Sequence, residues 1–447
     1  MERRSLVCQQ ELLLKMIKEF FKHYLRAGLS FKKYLKELEK TERFSPAELK
    51  EYQNEKLRQT VKVAYEDVPF YKRVFQERKL TPHDIKSAED LVKLPMIDKH
   101  IVREKFKDFK NRSFKGLVFK GLTGGTTGIS GTFLRDLHSI NYENAHVWRQ
   151  WIWGGKIPKT RRVTLRGDII CPIQRKEPPF GRVDPFSKQL LMSSYHLNDR
   201  NLALYVERIR QYKPFDLYAY PSTAYLLANY CMRKNQNLLF SAVFTSSEML
   251  FNYQSELIEK VFNCRIYDWY GQAERVAAMG QCDHGTYHIM EDYSIVELIP
   301  KENGLYEIAG TTFNNFAMPL IRYRTGDVVE MVEGTYCKCN RFFRNVKIVI
   351  GREGDSLKTP DSRVVGILNH VPRGVEHLIE LQFVQKSLYE VILRIVCTEE
   401  FSLKDEKLLI ENARSHISNE IKFTIEKVPS IERTKNGKFI PVISHLN

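Results

Sequence analysis

From residue 115 to about 345, short β-type runs alternate with helical patterns, and this alternation limits the fold more than any other feature of the chain. RRVTL (161–165) reads as a strand. DLYAYPS (216–222) runs into the helical TAYLLANYCMRK (223–234), with Ser222 or Thr223 placed to cap that helix. SAVFTSSE (241–248) precedes a helix predicted from about Leu250 to Val261. Strands alternating with helices bury their apolar side chains by layering, which predicts an α/β fold. Residues 290–350 are richer in strands, with SIVELI, LYEIAG and VKIVIG, and residues 1–60 read as charged helices. After GREGD (351–355) the pattern changes to a strand (EVILRIVC), an amphipathic helix (DEKLLIENARSHISNEI) and a basic tail with an NGK turn. The expected class is α/β, with a large N-terminal domain of layered α/β subdomains over residues 1–350. Its first 60 residues are a helical segment. A small α+β C-terminal domain follows over 351–447.

Composition narrows the function. Hydrophobic residues at 43% and charged residues at 28% describe a globular chain, and 447 residues exceed one ordinary core. No run approaches eighteen apolar residues, and the N-terminus lacks a long apolar stretch with a small-residue cleavage site. Neither a membrane span nor a secretory signal is expected, and the predicted location is cytoplasmic. Five of the eight cysteines (Cys8, Cys171, Cys231, Cys264 and Cys397) show no spacing that suggests pairing. In a reducing compartment, free thiols or metal ligands are expected rather than disulfides. The net charge of +16 suits anionic substrates such as ATP or coenzyme A. Nucleic acid is not an expected partner, because neither a concentrated basic face nor a reader motif is present. Leu12, Leu13, Leu14, Ile17, Phe20, Phe21 and Tyr24 sit at helical spacing among basic residues. That face either packs on its own domain, the preferred reading, or lies on anionic lipid.

Five segments carry candidate chemistry. VFKGLTGGTTGISGTFLRD (118–136) holds five glycines and four threonines within residues 121–132. Glycines let backbone amides curl toward an anion and threonine hydroxyls add donors, although a plain β-hairpin turn explains the segment equally well. In IYDWYGQAER (266–275), Tyr270 can stack on a purine beside Gly271, and Glu274 can hold magnesium. Asp327 lies in a Thr-Gly-Asp turn within FAMPLIRYRTGDVVE (316–330), where it can accept from ribose hydroxyls or simply close a hairpin. Arg352 stands in VIGREGDSLKTPDSR (349–363) at the change of pattern, and Lys438 follows Asn-Gly in RTKNGKFIPVIS (433–444).

Taken in order, TGGTTG, TSSE (245–248), YGQAE, YRTGD, GREGD and NGK resemble the adenylate-forming superfamily of acyl-CoA ligases, adenylation domains and luciferases. VPFYKRVF, LPMIDK, the stretch 194–230 and NNFAMPLIRYRTGD resemble its phenylacetate-CoA ligase and CapK branch. CapK-type proteins are associated with capsule and surface-polysaccharide synthesis. The resemblance implies that Thr123, Gly124, Gly125, Thr126, Thr127 and Gly128 hold the β- and γ-phosphates of ATP. It gives adenine stacking to Tyr270, magnesium binding to Glu274, the ribose hydroxyls to Asp327 and a ribose or phosphate contact to Arg352. Lys438 takes the place of the adenylation lysine on a mobile C-terminal domain. The loop lysine of many relatives is missing. The hinge, usually Asp or Lys, falls on Gly354 beside Asp355, and Ser362 stands where glycine is usual.

Cys282, His284 and His288 precede Cys337 and Cys339, and four soft or borderline ligands match tetrahedral zinc. Members of the resembling branch with cysteines here carry structural zinc. The expected ligands are Cys282, His288, Cys337 and Cys339, with His284 the alternative to His288.

The predicted function is activation of a carboxylic acid as acyl-AMP with release of pyrophosphate. Transfer then follows to an acyl acceptor: coenzyme A, or an amine or hydroxyl, as in polysaccharide synthesis. Its cofactors are ATP, Mg2+ and structural Zn2+. Peripheral association with membrane polysaccharide machinery and a homodimer accompany the resemblance. The alternatives are a nucleotidyltransferase that leaves AMP on its acceptor and a non-enzymatic partner in polysaccharide assembly. The acid pocket is expected near residues 218–222, 245–248 and 269–272.

Overall fold

The computed structural model describes residues 29–122, 131–301, 304–332, 337–352, 356–361, 363–365, 368, 370–434 and 436–446. The described helices are α1 (Leu29–Thr41), α2 (Pro46–Asp67), α3 (Pro69–Glu77), α4 (Lys99–Glu104), α5 (Leu137–Trp153), α6 (Leu202–Tyr212), α7 (Pro221–Arg233), α8 (Asn252–Phe262) and α9 (Leu403–His416). None is long and apolar enough to cross a membrane. The strands begin with a hairpin of β1 (Val118–Leu122) and β2 (Thr132–Asp136). Then come β3 (Arg162–Arg166), β4 (Gly181–Asp184), β5 (Gln189–Ser193), β6 (Asp216–Ala219), β7 (Ala242–Ser246) and β8 (Arg265–Gly271). Next are β9 (Ala278–Gln281), β10 (Tyr287–Ile289), β11 (Ser294–Pro300), β12 (Leu305–Thr312), β13 (Tyr323–Met331) and β14 (Asn345–Arg352). The last are β15 (Leu357–Lys358), β16 (Val364–Val365), β17 (Leu378–Ser387), β18 (Glu390–Cys397), β19 (Lys422–Lys427) and β20 (Val442–Ser444).

Strands β3 to β14 form one sheet in the order β11-β12-β13-β14-β10-β9-β8-β7-β6-β3-β5-β4. From β8 to β5 the neighbours are parallel. Parallel neighbours need crossovers; α7 and α8 supply those from β6 to β7 and from β7 to β8, and α6 carries the chain from β5 past β3 to β6. Such strands are buried on both faces, which explains their continuous apolar runs. Val163, Leu165, Leu217 and Val243 pack with side chains of α6, α7 and α8. Ala242, Phe244 and Tyr267 pack with Trp151 of α5 on the opposite face. The alternation along β7 follows the two-residue period of a strand. From β8 to β11 every neighbouring pair is antiparallel.

One capping expectation is corrected. The helix after YPS begins at Pro221, with Tyr220 as N-cap and no side-chain cap. Ser222 and Thr223 therefore lie inside its first turn. The Ser222 N–H donates to Glu248 Oε2 at 3.1 Å, and Thr223 Oγ1 donates to Leu165 O at 2.9 Å. A carboxylate from the TSSE segment thus does the work expected of a local hydroxyl.

A buried ionic cluster ties α1 to the sheet domain. Arg149 Nη1 donates to Asp292 Oδ2 at 2.5 Å, and Thr41 Oγ1 donates to the same oxygen at 2.5 Å. Burial alone would raise the Asp292 pKa. The Arg149 guanidinium and His146 outweigh it and hold the carboxyl far below its usual range.

Beyond Arg352 the strands join other sheets. β15 pairs with β16, and the last four strands run in the order β19-β18-β17-β20. Leu381, Phe383, Leu393, Ile395 and Val442 of these strands share a core with Leu409 and Ala413 of α9. Each fully buried Leu or Ile there contributes about 1.5–3 kcal/mol. Ser402 and Asp405 form a capping box at the start of α9.

Candidate active site

Parallel strands aim all their carboxyl ends at one edge of a sheet, where ligands of open α/β sheets bind. Here that edge gathers Arg166, Ser193, Ala219, Ser246 and Gly271 at the ends of β3, β5, β6, β7 and β8. Tyr270 near the end of β8 donates its hydroxyl to Asp327 Oδ2 of β13 at 2.7 Å. Burial, then the neighbouring carboxylate, pushes the Tyr270 phenol well above its usual pKa, so it remains a donor. Asp327 is buried and its N–H donates to Thr325 Oγ1 at 3.0 Å. Glu274 is also buried and accepts from the Tyr323 hydroxyl at 3.1 Å. Arg352 pairs opposite Asp327 across β13 and β14. The sheet therefore brings Tyr270, Gly271, Glu274, Asp327 and the backbone of Arg352 together.

The glycine-rich residues Thr123, Gly124, Gly125, Thr126, Thr127 and Gly128 lie outside the described residues, as do Gly354 and Asp355. The strands flanking the loop pair antiparallel, with Leu122 opposite Thr132. That hairpin is tied to the same cluster. Arg135 Nε donates to Ala273 O at 2.9 Å, and Phe133 meets Tyr323 edge-on at 5.9 Å.

The NGK turn docks on the same edge. Thr434 N–H donates to Lys438 O at 2.9 Å, and Lys438 N–H donates to Thr434 Oγ1 at 3.0 Å, which closes the turn. Tyr220 donates its hydroxyl to Asn436 O at 3.1 Å. The Phe439 N–H donates to Glu248 Oε1 at 2.6 Å. Glu248 thus bridges the first turn of α7 and the C-terminal segment. Gly437 takes a left-handed φ of 69°. The approach is close: a Cβ on Gly167 would stand 1.6 Å from Asn436 O.

Sequence reasoning missed Arg166, Gly167 and the bridging role of Glu248. The signal for the first two was a glycine directly after an apolar strand, in Arg166-Gly167-Asp168. Near the β3 end of this edge, Arg166 Nη2 donates to Ser247 Oγ at 2.7 Å and Nη1 donates to the Tyr218 hydroxyl. Burial pushes the Tyr220 phenol up to about 12.

A separate cluster lies on the antiparallel side. One ligand atom from each of Cys282, His288, Cys337 and Cys339 falls within 4.8 Å of the others. Cys339 Sγ and His288 Nε2 are 3.3 Å apart, and Cys282 Sγ and Cys337 Sγ 3.7 Å. Cys282 and His288 are buried. His288 Nδ1 faces Phe343 O at 3.4 Å, which aims Nε2 at the cysteines. His284 is outside the cluster, with its ring 3.8 Å from Asp283. Three thiolates and one imidazole are a donor set for zinc, so the chemistry of the four residues fits that metal.

Residues 357–445 match the family described as the CapK C-terminal domain. The chain is 27% identical over 398 residues to the protein CapK of Staphylococcus aureus, covering 88% of each. It is 23% identical over 379 residues to a phenylacetate-coenzyme A ligase of Thermus thermophilus, covering 79% of this chain and 82% of that protein. Among solved structures, a 2-hydroxyisobutyryl-CoA ligase in its postadenylation state aligns at TM-score 0.69 and 17% identity, over 90% of both chains. The large layered sheet domain and the smaller α+β unit thus have the fold of that ligase. By sequence relatives and by fold, the chain is similar along most of its length to the phenylacetate-CoA ligase and CapK branch of the adenylate-forming superfamily.

Proposed function

We propose that this chain is an ATP-dependent acid ligase that forms an acyl-adenylate and then transfers the acyl group. The observation that carries the proposal is the docking of the Lys438 turn at the ends of β3, β6 and β7, on the same sheet edge where β8 presents Tyr270 bonded to Asp327. In the proposed roles, the glycine-rich loop from Thr123 to Gly128 holds phosphates, Tyr270 and Asp327 hold the nucleoside, and Arg352 assists. Mg2+ held through Glu274 would neutralise phosphate charge.

An acid carboxylate oxygen attacks the α-phosphorus of ATP, the bond to the bridging oxygen breaks, and pyrophosphate leaves. Three negative groups crowd at that step, and the Lys438 ammonium offsets their repulsion. In the second step an acceptor thiol, amine or hydroxyl attacks the acyl carbon, its proton passes to solvent, and AMP departs. Coenzyme A is one acceptor. A sugar amine or hydroxyl is the other, in line with the likeness to CapK and a role in surface-polysaccharide synthesis. Residues 1–350 and 351–447 are the proposed domains, the second withdrawing Lys438 between steps through a hinge at Gly354. Zn2+ bound by Cys282, His288, Cys337 and Cys339 would be structural, since four protein ligands leave no open position.

The test is pyrophosphate release with ATP, magnesium and a panel of aryl, fatty and amino acids. Release with one acid class supports the ligase. Failure with every acid, with AMP found on a sugar acceptor, would instead make the protein a nucleotidyltransferase.

Gly167→Ala probes the docking itself. Its new methyl cannot share space with Asn436 O, so the turn must retreat by more than an ångström. Misplacement on that scale lowers the adenylation rate by about 10²-fold. ATP affinity, measured separately, is expected to stay near wild type. Unimpaired pyrophosphate release by this variant would mean that the docked turn is not the adenylating arrangement.

A further inference from the structure

Arg166 ends β3 at the carboxyl edge of the sheet, and acid activation as proposed gives its charge no task. Its hydrogen-bond acceptors, Ser247 Oγ and the Tyr218 hydroxyl, are both neutral. Its guanidinium lies over the rings of Tyr218 at 4.4 Å and Tyr220 at 5.1 Å. Its Nε is buried without a hydrogen-bond partner. Among the described residues no carboxylate stands within 4.0 Å of it. Glu248, close by on the next segment, is already engaged by the amides of Ser222 and Phe439. A half-buried guanidinium without a carboxylate partner is costly to hold. Its planar fork, with most N–H groups still unused, fits an incoming carboxylate.

Position tells which part of a ligand it meets. Tyr270 and Asp327 mark the nucleoside end at β8. β3 stands three strand steps away across β7 and β6, roughly 14 Å at about 4.8 Å per step. The Lys438 turn comes down at the β3 end, with Asn436 O against Gly167 and the Tyr220 hydroxyl, next to Arg166. An acid whose carboxylate reacts at Lys438 therefore has Arg166 beside it, three strands from the nucleoside end.

We infer that the acid is a dicarboxylic acid whose second, unreacting carboxylate is held by Arg166. This rests on the acid-ligase reading. One guanidinium matches the single charge of one carboxylate. Tyr218, Tyr220 and Ser247 line the approach, Ser247 being exposed at a left-handed φ of 74°. Arg166 is a specificity-determining residue in this assignment, separate from the chemistry at Lys438.

The experiment compares matched pairs of equal length: butyrate with succinate, hexanoate with adipate, and 4-ethylphenylacetate with 1,4-phenylenediacetate. Pyrophosphate release gives kcat/KM for each, and the shift in unfolding midpoint gives binding without turnover. Wild type is expected to favour one diacid over its monoacid by about tenfold or more, the worth of a charge-assisted hydrogen bond. Arg166→Met is expected to remove that preference, and Arg166→Lys to restore part of it. A residue needed only for folding would change both members of a pair alike and leave their ratio intact, and that result overturns the inference. Wild-type turnover of monoacids in preference to diacids also overturns it while keeping the ligase. Diacid binding that Arg166→Met abolishes, without any pyrophosphate release, supports the assignment of Arg166 and overturns the adenylation step. Absence of both release and binding overturns both.

Discussion

Replacing Lys438 with alanine is expected to lower ATP-dependent pyrophosphate release by about 10²–10³-fold, the usual loss when one positioned group that stabilises developing charge is removed. The fold around it should survive. The turn is closed by backbone atoms of Lys438 and by the Thr434 hydroxyl, and the docking contacts use Asn436 O and the Phe439 N–H. None of these needs the Lys438 side chain. Tyr270 and Asp327, assigned to the nucleoside, are joined to each other and belong to other strands. ATP affinity and the unfolding midpoint are therefore expected near wild type, while the chemical step collapses. This separates Lys438→Ala from a variant of Asp327, where ATP affinity itself should fall. Direct ATP-binding measurements beside steady-state pyrophosphate release check the split. Wild-type release by the alanine variant would remove Lys438 from the chemistry.

The α/β class was legible because the central strands are apolar on both faces. The run Ala242–Ser246 is buried throughout and is flanked by helical sequence on each side. The change of sheet between Arg352 and Leu357 coincides with a visible change in pattern at GREGD. The site was legible only as separate motifs. Nothing local to YGQAE or YRTGD says that Tyr270 meets Asp327, because that contact depends on the fold of more than fifty intervening residues. Arg166 escaped notice since Arg-Gly-Asp after a strand reads as an ordinary loop entry. Its meaning comes from Tyr218 on β6, Tyr220 just after it and Ser247 after β7. The helix start at Pro221 was missed for a similar reason. The group satisfying its first turn is Glu248, a residue from another segment. Spacing brought Cys282, Cys337 and Cys339 to attention but left two histidines open. Strand register chooses between them: His288 sits on β10 opposite Asn345 of β14, beside the cysteine pair, whereas His284 lies in the turn between β9 and β10.

Protein purified without chelator is expected to carry one zinc per chain, and the double replacement Cys337→Ser with Cys339→Ser to lose it. A site filled a thousandfold above its dissociation constant contributes about 4 kcal/mol to stability, and all of that is lost with the ligands. The loss should appear as a lower unfolding midpoint, reproduced in wild type by a strong chelator and reversed by added zinc. The geometry predicts which function suffers. Cys282 and His288 belong to the β9–β10 hairpin, whereas Cys337 and Cys339 precede β14. β14 pairs with β10 on one side and with β13 on the other, where Arg352 stands opposite Asp327. Releasing the metal loosens the connection that sets β14 against the nucleoside side, so ATP affinity should fall with the midpoint. The chemical step at Lys438, whose turn docks at the β3 and β6 ends of the sheet, should change less once ATP saturates. Equal midpoints for wild type and the double variant, with no metal in the untreated protein, would reduce the cluster to three free thiols and a buried imidazole. A metal that leaves with complete loss of turnover at saturating ATP and an unchanged midpoint would contradict the structural role from the other direction, because four ligands closed around zinc offer no position for substrate.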